Sequence, residues 1–207
     1  MADTKISALS AASLAAMANE IPINEAGTTK KITLTQVSTL LAPFSIVPSG
    51  NFGLSAASGV QSAFPTTGDV WTFAANTAYF FEGFYDISTG STTTKTIALA
   101  FAAAGGGSIT SCKYFAIGQK VAINTTGTTQ SSCAVDTNAS TVILPTGTET
   151  RSWIHFKGIL RMNAAGTITP QINFSANPGG TNTMNVNSYI RFTPIGSDTT
   201  NIAGPVG

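Results

Sequence analysis

Charge is scarce in this chain. Of its 207 residues only 9% are Asp, Glu, Lys or Arg, against about 25% in an ordinary soluble domain. The surface must therefore be built from Ser, Thr, Asn and Gly. Such a surface is tolerable when copies of the subunit, or a larger assembly, cover much of it. The ten Lys and Arg give a formal net charge of +1 and are scattered, with Lys30–Lys31 the only adjacent basic pair. A basic stripe of the kind that tracks nucleic acid is missing, and so is a patch for an anionic membrane. Histidine is nearly absent: His155 stands alone, which excludes a histidine metal cluster. A Ser–His–Asp site would need that histidine plus a serine elbow, and no GxSxG occurs. Gly105–Gly107 lacks the GK[ST] ending of a phosphate loop. No metal, cofactor or nucleic acid is expected.

Long apolar runs are missing too. Nothing reaches the roughly 18 residues of a membrane span, so no membrane insertion is expected. The start, Met1-Ala-Asp-Thr-Lys5, has an acid where a signal peptide places positive charge, and the following Ala8–Ala18 stretch is apolar mainly through alanine. No signal peptide is expected, and the protein would be made in the cytoplasm. Cys112 and Cys133 are the only cysteines; two readings stay open, a disulfide between neighbouring strands or two half-buried thiols. The sequons at Asn124, Asn138 and Asn173 carry little weight without a secretory route.

What the chain does have is apolar and aromatic material: 43% hydrophobic residues, with twelve Phe, four Tyr and two Trp. That argues against disorder. Three textures follow one another. Residues 1–42 hold the Ala-rich stretch, then Glu20-Ile-Pro-Ile23, a turn-like Asn24–Thr29 and Lys30-Lys-Ile-Thr-Leu34. The two short extended runs predict a small hairpin. Thr35 would cap a brief helix over Gln36–Ala42, ended by Pro43. These pieces are too short for a core of their own, so they should fold against something else. Residues 43–66, rich in Pro, Ser and Gly, predict a linker or extended arm.

From residue 67 onward the pattern is one of strands. Thr77–Ser88 places Tyr79, Phe81, Tyr85 and Ile87 on one face, opposite Phe80, Glu82, Phe84 and Asp86. Arg151–Asn163 sets Ile154, Phe156 and Leu160 against Arg151, Trp153, His155 and Lys157. Further strands are expected over Asp69–Ala75, Thr94–Ala103, Ile109–Ile123, Ala134–Leu144, Thr167–Ser175 and Val186–Phe192, with turns at Gly105–Gly107 and Asn177–Gly180. About eight strands joined by polar, Gly-rich turns point to a sandwich or barrel, and their order suits a jelly roll. The expected fold is all-β: a jelly-roll-like β-sandwich over residues 67–196, preceded by a mostly extended N-terminal arm and followed by a tail over 197–207.

Catalytic chemistry is hard to find. Glu82 and Asp86 share a strand face at about 13 Å, too far apart for a glycosidase pair, whose carboxyls sit about 5–9.5 Å apart. A pair assembled from different strands keeps a glycan hydrolase as a remote alternative. His155, between Trp153 and Lys157, reads as a structural position on a partly solvated or subunit-facing strand. The aromatics Trp71, Phe73, Tyr79, Phe80, Phe81, Phe84 and Tyr85 read as sandwich core and subunit interface before ligand groove.

Two groups of segments resemble known proteins. Lys5-Ile-Ser-Ala-Leu9, Glu20-Ile-Pro-Ile23 and Gly27–Val37 are similar to the N-terminal attachment segments of phage tail- and head-fibre proteins. Ala75–Tyr85, Trp153-Ile-His-Phe-Lys-Gly158 and Tyr189-Ile-Arg-Phe192 are similar to the C-terminal domain of small phage virion proteins, which resembles the tumour-necrosis-factor-like jelly roll and forms homotrimers. The resemblance implies a non-enzymatic protein on the virion surface, a homotrimeric head fibre or capsid decoration protein. A short tail fibre touching a host-surface glycan or receptor is the alternative. Residues 1–42 would bind a phage capsid or tail scaffold protein through Ile6, Leu9, Ile21, Ile23, Ile32, Leu34, Val37 and Leu40. Trp71, Phe73, Tyr79, Phe81, Tyr85, Trp153, His155, Tyr189 and Phe192 are the candidates for trimer interface or core.

Overall fold

The computed structural model describes residues 20–25, 28–34, 43–65, 72–120 and 130–199. The chain forms two units, residues 1–42 and 43–207. In the first, β1 (Glu20–Glu25) pairs antiparallel with β2 (Thr28–Thr33), and Ile21 faces Ile32 across the pair. This is the expected hairpin. Ile21 is 43% exposed, and an isolated two-stranded hairpin is marginal in water. The expected helix over Gln36–Ala42 lies outside the described residues.

The second unit is a jelly-roll-like sandwich of two antiparallel sheets. Its strands are β3 (Phe44–Ile46), β4 (Phe52–Leu54), β5 (Gly59–Ser62), β6 (Thr72–Phe73), β7 (Thr77–Ser88), β8 (Lys95–Ala104), β9 (Ser108–Gln119), β10 (Gln130–Asp136), β11 (Thr141–Gly147), β12 (Arg151–Ala164), β13 (Gly166–Phe174), β14 (Asn182–Met184) and β15 (Tyr189–Ser197). One sheet runs β10-β9-β12-β7-β14-β4, with β15 also on β7 and β3 on β15; the other runs β11-β8-β13-β5, with β6 on β13. From β7 onward the chain alternates between the sheets, except that β9 and β10 form a hairpin that widens the larger one and β14 and β15 both lie in that larger sheet. That alternation is what makes the sandwich a jelly roll.

Strict alternation explains the core. Along β7 the inward residues Tyr79, Phe81, Tyr85 and Ile87 are buried, and along β12 so are Ile154, Phe156 and Leu160. Phe81 lies at the centre, 5.0 Å from Phe101 and 5.7 Å from Phe192 between ring centroids, and Phe156 meets Tyr85 edge-on at 4.9 Å. Each such side chain contributes about 1.5–3 kcal/mol of burial. Gly83 makes one of these contacts possible: a Cβ there would lie 2.4 Å from Cζ of Phe156, its partner in the β7–β12 register.

Local chemistry fits the turns. Gly105 and Gly106 take positive φ (67° and 85°), with Gly107 N–H donating to the Ala104 carbonyl at 3.1 Å. Two successive positive φ values suit glycine, and the tight turn carries the chain from β8 in the smaller sheet to β9 in the larger one. Pro170 sits inside β13, yet its carbonyl accepts from Ala63 N–H just beyond β5. Its missing N–H therefore points into the gap between β5 and β6 and breaks no ladder.

Two expectations are corrected, and one reading left open is decided. Residues 43–66 are not a linker: β3, β4 and β5 join both sheets, and Leu54, Ala63 and Phe64 are buried. The run Ala134–Leu144 is two strands, β10 and β11, which lie in different sheets and are separated by a turn at 137–140. A disulfide is not formed: Cys112 and Cys133 are free. The β9–β10 register pairs Cys133 with Ala116, leaving the cysteines four positions out of step, about 13 Å along the strands.

Candidate functional site

The two outer faces of the sandwich differ in kind. On the smaller sheet the outward positions of β8 and β13 are Thr96, Ala98, Ala100 and Ala102 against Thr167, Thr169, Gln171 and Asn173. These are small or neutral polar side chains. On the larger sheet the outward positions carry most of the exposed rings and charges, so that face is the candidate site.

Its strands are set in rows by register. Gln119, Trp153 and Asp86 form one row, and Ser132, Ile117, His155, Phe84 and Tyr189 the next. Trp153 stacks on Phe84 with 6.1 Å between ring centroids and 24° between planes, and its Nε1–H donates to Gln119 Oε1 at 3.1 Å. His155 is exposed beside them. Further along lie Ala134, Phe115, Lys157, Glu82 and Arg191, then Asp136, Lys113, Ile159, Phe80 and Thr193.

Both acids of β7 are engaged. Asp86 is fully buried; Arg151 Nε and Nη2 donate to its two oxygens at 2.7 and 2.6 Å, and Asn185 Nδ2 donates to Oδ1 at 3.1 Å. The Asp86 carboxylate holds the Arg151 guanidinium pKa above its ordinary value. Glu82 accepts from Arg191 Nη2 at 2.9 Å and from the Tyr189 hydroxyl at 3.4 Å. Burial, reinforced by the Glu82 charge, raises the Tyr189 pKa. Two carboxylates each committed to an arginine are poor acid–base catalysts, because their charge is already spent on a partner. Among the described residues no group of three His, Cys, Asp or Glu could hold a metal, and no helix is long and apolar enough to cross a membrane.

The other half of the face opens into a groove of about 680 Å³ over β9, β10 and β12, bordered by Lys113, Phe115, Asp136, Lys157, Ile159 and Arg161. Alternation in the sequence puts Lys157 on a partly solvated or subunit-facing strand face, and no motif in the sequence singles out the rest. The alternation of Lys113, Phe115 and Ile117 against buried Cys112, Tyr114 and Ala116 was the available signal.

The candidate residues divide accordingly. Phe73, Tyr79, Phe81, Tyr85 and Phe192 are core. Trp153, His155 and Tyr189 come together on the outer face. Trp71 lies outside the described residues. Of the attachment candidates, Ile21 and Ile23 lie on β1 and Ile32 on β2, with Leu34 just after β2; Ile6, Leu9, Val37 and Leu40 lie outside the described residues. No protein-family model matches the chain, and no curated protein matches it significantly.

Proposed function

We propose that this chain is a structural subunit of a bacteriophage particle: a homotrimeric head fibre or capsid decoration protein, anchored through residues 1–42 and displaying the sandwich outward at the virion surface. The virion and trimer elements of this reading rest on the resemblance of the segments quoted above. The observation that supports self-association is the aromatic half of the larger sheet. Trp153, Phe84 and Tyr189 are only half-buried there, while the nearby charges of Asp86 and Glu82 are already neutralised by arginines. Rings of this kind, amphipathic and ringed by satisfied polar groups, are what subunit interfaces favour. Anchoring by residues 1–42 is supported by the hairpin, whose Ile21 is exposed in a unit too small for a core.

The test is to measure mass by light scattering and to mix the protein with particles that lack it. Full-length protein should be trimeric and should join particles. A version lacking residues 1–42 should stay trimeric and remain in solution. A monomeric full-length protein removes the trimer, and a truncated protein that still joins particles removes the anchoring role. Binding to tails or cells instead of heads favours the short tail fibre.

A further inference from the structure

We propose that the groove over β9, β10 and β12 is a binding site for a short acidic saccharide. Its floor is apolar: Phe115 is 45% and Ile159 41% exposed, in adjacent rows of the sheet. Its rim is basic. Lys113, Lys157 and Arg161 are three of the chain's ten basic residues, gathered in one groove of a protein that otherwise scatters them. Asp136 pairs with Lys113 at 2.9 Å. Arg161 donates through Nη1 to the Asp198 carbonyl and has no ion pair among the described residues. Lys157 has no hydrogen bond or ion pair among the described residues. Three cations less one carboxylate leave two net positive charges over an exposed ring.

The chemistry follows from these groups. A pyranose presents an apolar C–H face that lies on an aromatic ring, and a carboxylate or sulfate on the same sugar reaches an ammonium or guanidinium at the rim. The volume falls within the roughly 300–1,000 Å³ of ligand clefts. Single-stranded nucleic acid fits less well, because it needs several stacking rings along a basic track, and this groove has one phenylalanine. A second copy of the chain fits less well too. Glu82 and Asp86 are tied to arginines and Asp136 belongs to the groove itself, and no strand of the larger sheet carries another acid to meet the rim of a second copy. The groove is complete within one copy, so the site needs neither the virion reading nor the trimer.

The full-length protein is titrated calorimetrically with a trigalacturonate, a sulfated trisaccharide, neutral maltotriose and a short oligothymidylate. An acidic trisaccharide should bind about tenfold or more tighter than the neutral one, and binding should weaken as salt is raised. Whether the carboxylated or the sulfated probe wins identifies the natural anion, and either supports the site. Phe115→Ala and Lys157→Gln should each lower affinity severalfold or more. Both side chains are exposed, so melting temperatures should move by no more than about 2 °C, which separates lost binding from lost fold. Equal binding of maltotriose, no saturable binding of either acidic probe, tighter binding of the oligothymidylate, or unchanged affinity in both variants would overturn the proposal. Failure here leaves oligomeric state and particle binding untouched, so the two readings fail separately.

Discussion

The Asp86–Arg151 pair makes a prediction whose ordering matters more than its size. Its two ends are unequally buried: the Asp86 side chain is 0% exposed and that of Arg151 is 42% exposed. Replacing Arg151 by alanine strands a carboxylate in the interior with only Asn185 to donate to it. Orphaning a buried charge costs about 3–5 kcal/mol. Replacing Asp86 by alanine instead frees a guanidinium that can turn to water, while Asn185 keeps its 2.9 Å bond to Ser88 Oγ. That loss is limited to charge-assisted hydrogen bonds, about 1.5–3 kcal/mol. Arg151→Ala should therefore be the more damaging substitution. At about 2–4 °C per kcal/mol for a domain of this size, it should lower the melting temperature by roughly 6–20 °C. The double variant should be less destabilised than Arg151→Ala alone, because it removes the stranded charge. Urea unfolding of the four proteins gives the cycle directly. If Asp86→Ala costs more than Arg151→Ala, or if the two effects simply add, the argument from unequal burial is wrong.

Two further outcomes follow from buried groups. Lys95 is 3% exposed and its ammonium donates to the carbonyls of Ser91, Thr93 and Glu149 at 3.2–3.4 Å; Lys95→Met keeps the length, removes all three donors, and should cost about 1–3 kcal/mol in urea unfolding, so an unchanged midpoint would show those bonds to be idle. Burial, with the Asp136 charge, pushes the Cys112 thiol from 9.0 up to about 12. The fold favours the neutral thiol, so its stabilising effect is complete below pH 9 and is lost as pH rises toward 12, at about 1.4 kcal/mol per pH unit. Stability measured from pH 8 to 11 should fall less steeply in Cys112→Ala, and a thiol reagent at neutral pH should label Cys133 well before Cys112.

Legibility in the sequence followed element length. Thr77–Ser88 is a strand end to end, because twelve residues of alternation and a Gly–aromatic partner leave no competing period. The strands β3, β4 and β5, of three to four residues, were lost among Pro, Ser and Gly. Their pairing is long-range, with Phe44 meeting Phe192 and Val60 meeting Asn173, and no local pattern encodes a partner well over a hundred residues away. Pro145, just past the expected end at Leu144, lies within β11 at a register shift; among the described residues β11 is an edge strand paired with β8, where a missing N–H is tolerated. For the candidate site, alternation separated Trp153 and His155 from the core correctly. The groove stayed hidden because its residues come from three strands, and only the register brings Lys113, Phe115 and Lys157 side by side.

Register also sorts charge across the face, and that sorting decides what each half can do. On the β7 and β15 side each acid meets an arginine, Glu82 with Arg191 and Asp86 with Arg151. On the β9 and β12 side Lys157 and Arg161 have no carboxylate partner among the described residues. Covering the first half removes water from pairs already neutral and from rings that gain by burial. Covering the second would desolvate unpaired cations, at several kcal/mol each without a compensating anion. The proposed trimer must therefore bury the Trp153–Phe84–Tyr189 half and leave the basic groove in water. In that proposed arrangement an acidic ligand would still reach the groove.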